Sequence, residues 1–341
     1  RYEIVRELGA GGMGTVYEAR HLDLDKRVAV KVVKAEVAGN PEVRARFVRE
    51  GRIAARLRHP NVVDVTDVGV HEGVPYLVME FLEGESLAAM LAREGVLPVP
   101  AIVEILVPVC AAVAAAHIEG IVHRDLKPEN LFLARMRDGS VVPKVLDFGI
   151  SKLADTSATH GLTGTAALLG TPSYLSPEQA LGARDVDARS DQFALGVILY
   201  ECCTGRLPFE HETLFGLLHA IVGGHFVPPG QLRADVSEDF EAVILRAMAR
   251  DPSARFDSVG SLAAALRQLE PSPRSPATAR EPLPPAADIE PGRGASKRSW
   301  GRTTLGQSAL SLDRPAPPQP SVRVGWSSGF SSPVHSSSLP C

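Results

Sequence analysis

The chain has 341 residues, 45% of them hydrophobic, enough for one large domain or two to three small ones with a substantial core. Its 36 Lys and Arg against 40 Asp and Glu leave a net charge of −4, which argues against generic nucleic-acid binding. The four cysteines, Cys110, Cys202, Cys203 and Cys341, lack CxxC spacing, so they read as buried thiols in a reducing compartment rather than disulfides or a zinc site.

The chain opens at Arg1 on strand-like sequence and reads as trimmed from a longer one. Tyr2–Leu8, Thr15–Ala19 and Val28–Val33 alternate apolar and polar residues and read as antiparallel strands. Between the first two lies Gly9-Ala10-Gly11-Gly12-Met13-Gly14. A lone GxGxxG also fits the dinucleotide fingerprint, but that motif needs a helix straight after its glycines. Thr15-Val16-Tyr17 is β-branched and aromatic, so these glycines join two strands and leave backbone N–H groups free to approach phosphate. Lys31 is a single cation within an apolar strand. Asn40-Pro41 then starts a helix. Val43, Phe47, Ala54 and Leu57 share one of its faces with Glu50. A carboxylate on a buried stripe needs a partner, and Lys31 is the expected one; rotating the helix would break the pair.

His59-Pro60-Asn61 ends that helix, and Val62–Val70 and Val74–Phe81 read as strands. From about residue 83 the pattern is helical: Ser86–Arg93, Val99–Glu119, Asp191–Cys203, and roughly 213–223, 237–249 and 258–269. The apolar run Ile105–Ala116 falls short of the roughly 18 residues of a membrane span and reads as buried helix. Val141–Val145 reads as a strand, and residues 150–175 as a polar, Thr-rich segment. After Glu270 the composition turns to Pro, Ser, Gly, Ala and Arg; residues 271–341, with Trp300 and Trp326, are expected to be disordered.

Two stretches carry the chemistry. His123-Arg124-Asp125-Leu126-Lys127-Pro128-Glu129-Asn130 is followed 17 residues after Asn130 by Asp147-Phe148-Gly149. Phosphoryl transfer needs a carboxylate to orient the attacking hydroxyl, hard oxygen ligands for Mg²⁺ and an ammonium for the moving group. With Gly9, Gly11, Gly14, Lys31 and Glu50 in order ahead of it, the set resembles the protein kinase family over about residues 1–269. Within it the chain is most similar to bacterial, eukaryotic-like serine/threonine kinases.

The resemblance implies an α+β, bilobal protein kinase fold. A small antiparallel-sheet N-lobe (1–80) with one key helix would precede a larger, mainly helical C-lobe (83–269), and residues 271–341 would form a tail. It implies ATP and Mg²⁺ as cofactors. Asp125 would be the catalytic base, Lys127 would contact the γ-phosphate, and Lys31, paired with Glu50, would hold the α- and β-phosphates. Asn130 and Asp147 would hold the metal. The ATP site would comprise Leu8, Gly9, Ala10, Gly11, Gly12, Gly14, Val16, Ala29, Lys31 and Phe132, the gatekeeper Met79, and the backbone of Glu80 and Leu82. His123 and Phe148 would pack together.

Arg124 would sense a phosphate on the activation segment. Thr156, Ser157, Thr159, Thr163 and Thr165 are candidates, and the Thr163-Gly164-Thr165 pair resembles an autophosphorylation site. Thr171 would face the substrate and hydrogen-bond Asp125 and Lys127, and Glu178 would form a buried ion pair with Arg255. Ser176 and Phe193 replace the alanine and tryptophan common in the family. Expected partners are protein substrates, a second copy for autophosphorylation in trans, and a protein docking on the Pro-rich stretch Pro315–Pro320. The kinase domain would be cytoplasmic, with any membrane tether outside this chain. A pseudokinase scaffold and a small-molecule kinase on a related fold are the competing readings. The filled chemical positions weigh against the first, and Lys127, Thr171 and Pro177-Glu178 against the second.

Overall fold

The computed structural model describes residues 1–11, 14–34, 38–148, 172–183 and 186–269. The first strands are β1 (Tyr2–Ala10), β2 (Gly14–His21) and β3 (Lys26–Val33), followed by helix α1 (Pro41–Ala54) and strands β4 (Val65–His71) and β5 (Val74–Glu80). They form one antiparallel sheet in the order β1-β2-β3-β5-β4. Asn40 caps α1 by accepting the N–H of Glu42, with Pro41 behind it. The face of α1 carrying Val43, Phe47 and Ala54 packs on Ala29, Leu77 and Met79. Tyr2, Ala19, Val28, Val30 and Val78 form a separate apolar cluster.

The remaining elements are mainly helical: β6 (Gly84–Ser86), α2 (Leu87–Glu94), α3 (Val99–Ile118), β7 (Leu131–Arg135), β8 (Val141–Val145), α4 (Pro177–Ala180), α5 (Ala188–Thr204), α6 (Leu214–Gly223), α7 (Pro229–Leu232), α8 (Glu238–Ala247) and α9 (Val259–Gln268). Their core is built around α3 and α5, which are apolar on most sides. By length and composition α3 could cross a membrane, but Ile102 through Ala116 are largely buried in this core. Pro108 lies inside α3 and the helix continues through it. Cys110, Cys202 and Cys203 are buried free thiols, and burial pushes that of Cys110 up to about 12.

Two features set the relation of sheet to helices. The strand expected from Val62 starts only at Val65, because the preceding backbone pairs elsewhere. Val63 N–H donates to Val145 O at 3.0 Å, and Val145 N–H to Asn61 O at 2.8 Å. The link after α1 is thus stitched to β8, the strand leading to Asp147. The second feature is the β6-β7-β8 sheet beneath the linker, of which only β8 is anticipated from the sequence. Gly84, with φ +140°, is required there: a Cβ would lie 2.0 Å from Leu133 O.

Candidate active site

The loop from His123 to Asn130 is held from below by Asp191, in the first turn of α5. This carboxylate is 1% exposed and accepts the N–H groups of His123 at 2.8 Å and Arg124 at 2.7 Å. His117 Nε2 meets it at 2.7 Å. Gln179, on α4, donates to Arg124 O at 3.1 Å. These anchors hold Arg124 at φ +68°, a left-handed conformation a side chain disfavours. The Arg124 guanidinium donates from Nη2 to Val186 O at 3.0 Å, while its buried Nε has no hydrogen-bond partner among the described residues.

Within the loop, Asp125 is the hub. Lys127 Nζ donates to its carboxylate at 3.0 and 3.2 Å. Asn130 Nδ2 donates to Asp125 O at 2.7 Å and to Oδ2 at 3.2 Å. The amide nitrogen of Asn130 is therefore spent on Asp125, and its oxygen is the atom with which it would hold a cation. His123 Nδ1 accepts the N–H of Asp125 at 3.3 Å, so Nε2 carries the proton it donates to Leu146 O at 2.8 Å. The His123 ring also meets that of Phe148 edge-on, centroids 4.9 Å apart. This contact ties the loop to Asp147, itself at φ +58°.

Asp147 accepts Lys31 Nζ at 2.8 Å. Burial works against its charge, but the Lys31 ammonium, with a smaller contribution from Lys127, outweighs this and holds the carboxyl below the usual carboxylate range. Here the structure corrects the pairing expected for Lys31. Glu50 is buried on α1 as its periodicity requires, but its Oε1 takes Arg46 Nε, one turn earlier, at 3.2 Å. Helical periodicity marks Glu50 as a buried acid but does not distinguish an arginine on its own helix from a lysine across the sheet.

Above these groups lies one face of the sheet. Val16 stands opposite Lys31, and Ala29 opposite Met79. Val16 and Leu82 pack against the cluster containing Ala29 and Met79. Phe132 lies on β7, opposite Ser86 and Lys144 of its neighbouring strands. Gly9 pairs with Val16, placing Leu8, Gly9 and Ala10 along the strand edge nearest this face. A Cβ on Gly9 would meet nothing within 4 Å, and one on Gly11 only Gly14 O at 3.9 Å, so both leave open space. Gly14 is structural, since a Cβ there would lie 2.3 Å from Val32 O. Glu80 N–H goes to Asp64 O at 2.9 Å. The Gly11 N–H is taken by Gly14 O at 2.8 Å, so Gly9 and Gly11 contribute open space; with an apolar wall, a lysine and the side-chain oxygens of Asn130 and Asp147 they fit Mg-ATP. Gly12, Thr163, Thr165 and Thr171 lie outside the described residues.

Glu178 and Arg255 form a two-pronged pair at 2.8 and 2.9 Å. Ser190 also donates to Glu178 at 2.6 Å, and Arg255 reaches the carbonyls of Ala249 and Arg189 at 2.8 Å each. The Arg255 guanidinium lies 5.0 Å from the ring of Phe193. Asp191 and Gln179 lie outside the sequence motifs yet anchor the catalytic loop. The signal for Asp191 was present, since a carboxylate opening an apolar helix needs buried partners as much as Glu50 does.

The protein kinase domain family matches residues 2–265, so the chain belongs to the protein kinase family, with its bilobal α+β fold. It is 45% identical over 266 residues to the serine/threonine-protein kinase Pkn1 of Myxococcus xanthus, covering 78% of this chain and 38% of that one. Against PknB of Mycolicibacterium smegmatis it is 41% identical over 271 residues, covering 78% and 42%. The chain thus spans well under half the length of these two relatives. The crystal structure of the Mycobacterium tuberculosis PknI kinase domain matches with a TM-score of 0.62 and 31% identity, covering 78% of this chain and 95% of that one.

Proposed function

We propose that this chain is a serine/threonine protein kinase that transfers the γ-phosphoryl group of ATP to Ser and Thr hydroxyls of proteins. The observation that carries the reading is the state of Asp125, whose carboxylate is braced by both Lys127 and Asn130. Held so, it can accept a hydrogen bond from an incoming hydroxyl and aim it for in-line attack, while Lys127 stays close enough to neutralise the departing charge. Asn130 and Asp147 would hold Mg²⁺ through their side-chain oxygens, and the metal would supply positive charge to offset that of the phosphates. The apolar face with Val16, Ala29 and Met79 takes the base. The linker offers it the carbonyl of Glu80 and the N–H of Leu82, the Glu80 N–H being used by Asp64.

Catalytic activity lies in residues 1–269, and 271–341 are a tail whose removal leaves transfer intact. Autophosphorylation falls on Thr163 or Thr165, in trans between two copies, and the domain works in the ATP-containing cytoplasm. The test is transfer from labelled ATP to a generic protein substrate, with site mapping by mass spectrometry. Asp125→Asn should bind ATP and lose transfer. Unchanged kcat in that variant would remove Asp125 from its role, and wild-type protein that binds ATP without transfer would make it a scaffold.

A further inference from the structure

The linker between β5 and β6 is gripped by one cation from each side. From β3, Arg27 donates Nη1 to Glu83 at 2.7 Å and lays its guanidinium 4.0 Å from the ring of Phe81. Its Nε is held by Glu18 at 2.8 Å, and Glu18 also takes Arg6 Nε at 2.8 Å. Glu18 has a side chain only 9% exposed, so it is a firm post binding β1, β2 and β3 together. From β8, Lys144 donates to Glu80 Oε1 at 2.6 Å and to Val62 O at 3.3 Å. The same carboxylate oxygen accepts Asp64 N–H at 2.9 Å.

Each cation lies on the strand that delivers a group to the phosphates. Arg27 precedes Lys31 by four residues, so both point to one face of β3. Lys144 precedes Asp147 by three residues at the end of β8. Lys31 and Asp147 meet each other at 2.8 Å. The contacts close a ring running from linker to Arg27, Lys31, Asp147, Lys144 and back to the linker. A cleft of about 180 Å³ opens beside the Glu80–Lys144 pair, lined among others by Leu57, His59 and Val62. On that side the ion pair acts together with the backbone bonds of Glu80 N–H to Asp64 O at 2.9 Å and Arg135 N–H to Glu83 O at 2.7 Å.

We propose that Arg27 and Lys144 are positioning residues. They pin residues 80–83 to β3 and β8 and so set the spacing between the backbone that receives adenine and the charges that receive the phosphates. The inference rests on the nucleotide site described under Proposed function. It predicts a specific division of effects. Adenosine reads the linker alone and should follow it if it shifts; ATP must engage linker and charges together.

The experiment is calorimetric binding of adenosine and of Mg-ATP to the full chain and to Arg27→Ala, Lys144→Met, Lys144→Arg, Glu83→Ala and the Arg27→Ala/Glu83→Ala double variant. Arg27→Ala and Lys144→Met should each weaken ATP binding by about three- to tenfold while adenosine affinity stays within about twofold. Lys144→Arg should restore ATP affinity. The double variant should be no worse than Arg27→Ala alone, because both changes remove one contact. ATP affinity unchanged in both single variants overturns the proposal. Equal losses for adenosine and ATP overturn it too, since they mean local damage to the linker. Wild-type protein that binds no ATP defeats the site reading itself, whereas binding without transfer defeats only the kinase reading and leaves this comparison decisive.

Discussion

The Lys31 ammonium and the Asp147 carboxylate are ion-paired, with 2.8 Å between Nζ and Oδ2. One comes from the middle of β3 and the other from just beyond β8, so the pair crosses the cleft where phosphates would bind. Each group neutralises the other; in the proposed site, nucleotide and metal would replace both partners. Lys31→Met would remove the proposed phosphate contact and leave Asp147 without the cation that chiefly holds its carboxyl low. Loss of a preorganised charge of this kind costs about a hundred- to a thousandfold in kcat. Steady-state phosphorylation of a generic substrate measures it; a variant within tenfold of wild type would show that Lys31 serves only the pair.

The second prediction concerns Asp191. It accepts two backbone N–H groups of the catalytic loop and faces His117 Nε2. Asp191→Ala leaves those donors buried and unpaired, at about 1–3 kcal/mol each. The melting temperature should fall by several degrees. Because Asp191 touches the loop and not the nucleotide groups, kcat should fall with little change in KM for ATP. Asp191→Asn keeps one acceptor and should lie between the two. Unchanged kcat in the alanine variant would limit Asp191 to fold stability.

What could be read from the chain divides along physical lines. Patterns that depend on local periodicity were legible: the strands around Gly9–Gly14, the Asn40 cap and the burial of Glu50 all follow from residues within a few positions of one another. Partner choice was not. Glu50 had two cations in reach, Arg46 on its own helix and Lys31 across the sheet, and only three-dimensional packing separates them. The same limit hid Asp191, whose donors lie 67 and 68 residues away. It hid β6 and β7 as well, since strands of three and five residues carry too little periodicity to register. The roles of Asp125, Lys127 and Asn130 were read from motif order, and their mutual contacts give that order a geometry.

A third prediction follows from Glu178. Burial disfavours its charge, but the Arg255 and Ser190 hydrogen bonds prevail and lower it from 4.5 to about 2. Its folded-state value is therefore below its unfolded one. The resulting stabilisation is present above about pH 4.5 and is lost as pH falls toward 2. The shift corresponds to roughly 3 kcal/mol at neutral pH. Glu178→Gln should destabilise by a similar amount at pH 7, roughly 3–5 kcal/mol with the stranded Arg255 included. It should also flatten the fall of stability between pH 4.5 and 2, as followed by urea unfolding. A variant that keeps the wild-type acid slope would place the acid sensitivity in another carboxylate.

The last prediction joins Arg124 to the activation segment. Arg124 is held at φ +68° by Asp191 and Gln179, and its buried Nε has no hydrogen-bond partner among the described residues. An unmet buried guanidinium N–H is costly and is best satisfied by an anion. Thr163 and Thr165 are the residues from which the proposed phosphate would come. Phosphorylation there would supply acceptor oxygens to the residue immediately before Asp125, so the gain should appear in kcat. After incubation with Mg-ATP, wild-type protein should carry phosphate on Thr163 or Thr165, and dephosphorylation should lower kcat. Arg124→Ala should show the same low kcat whether phosphorylated or not, because the sensor is gone. Thr163→Ala/Thr165→Ala should match dephosphorylated wild type. If phosphorylated Arg124→Ala were still more active than its dephosphorylated form, the phosphate would be acting through a group other than Arg124.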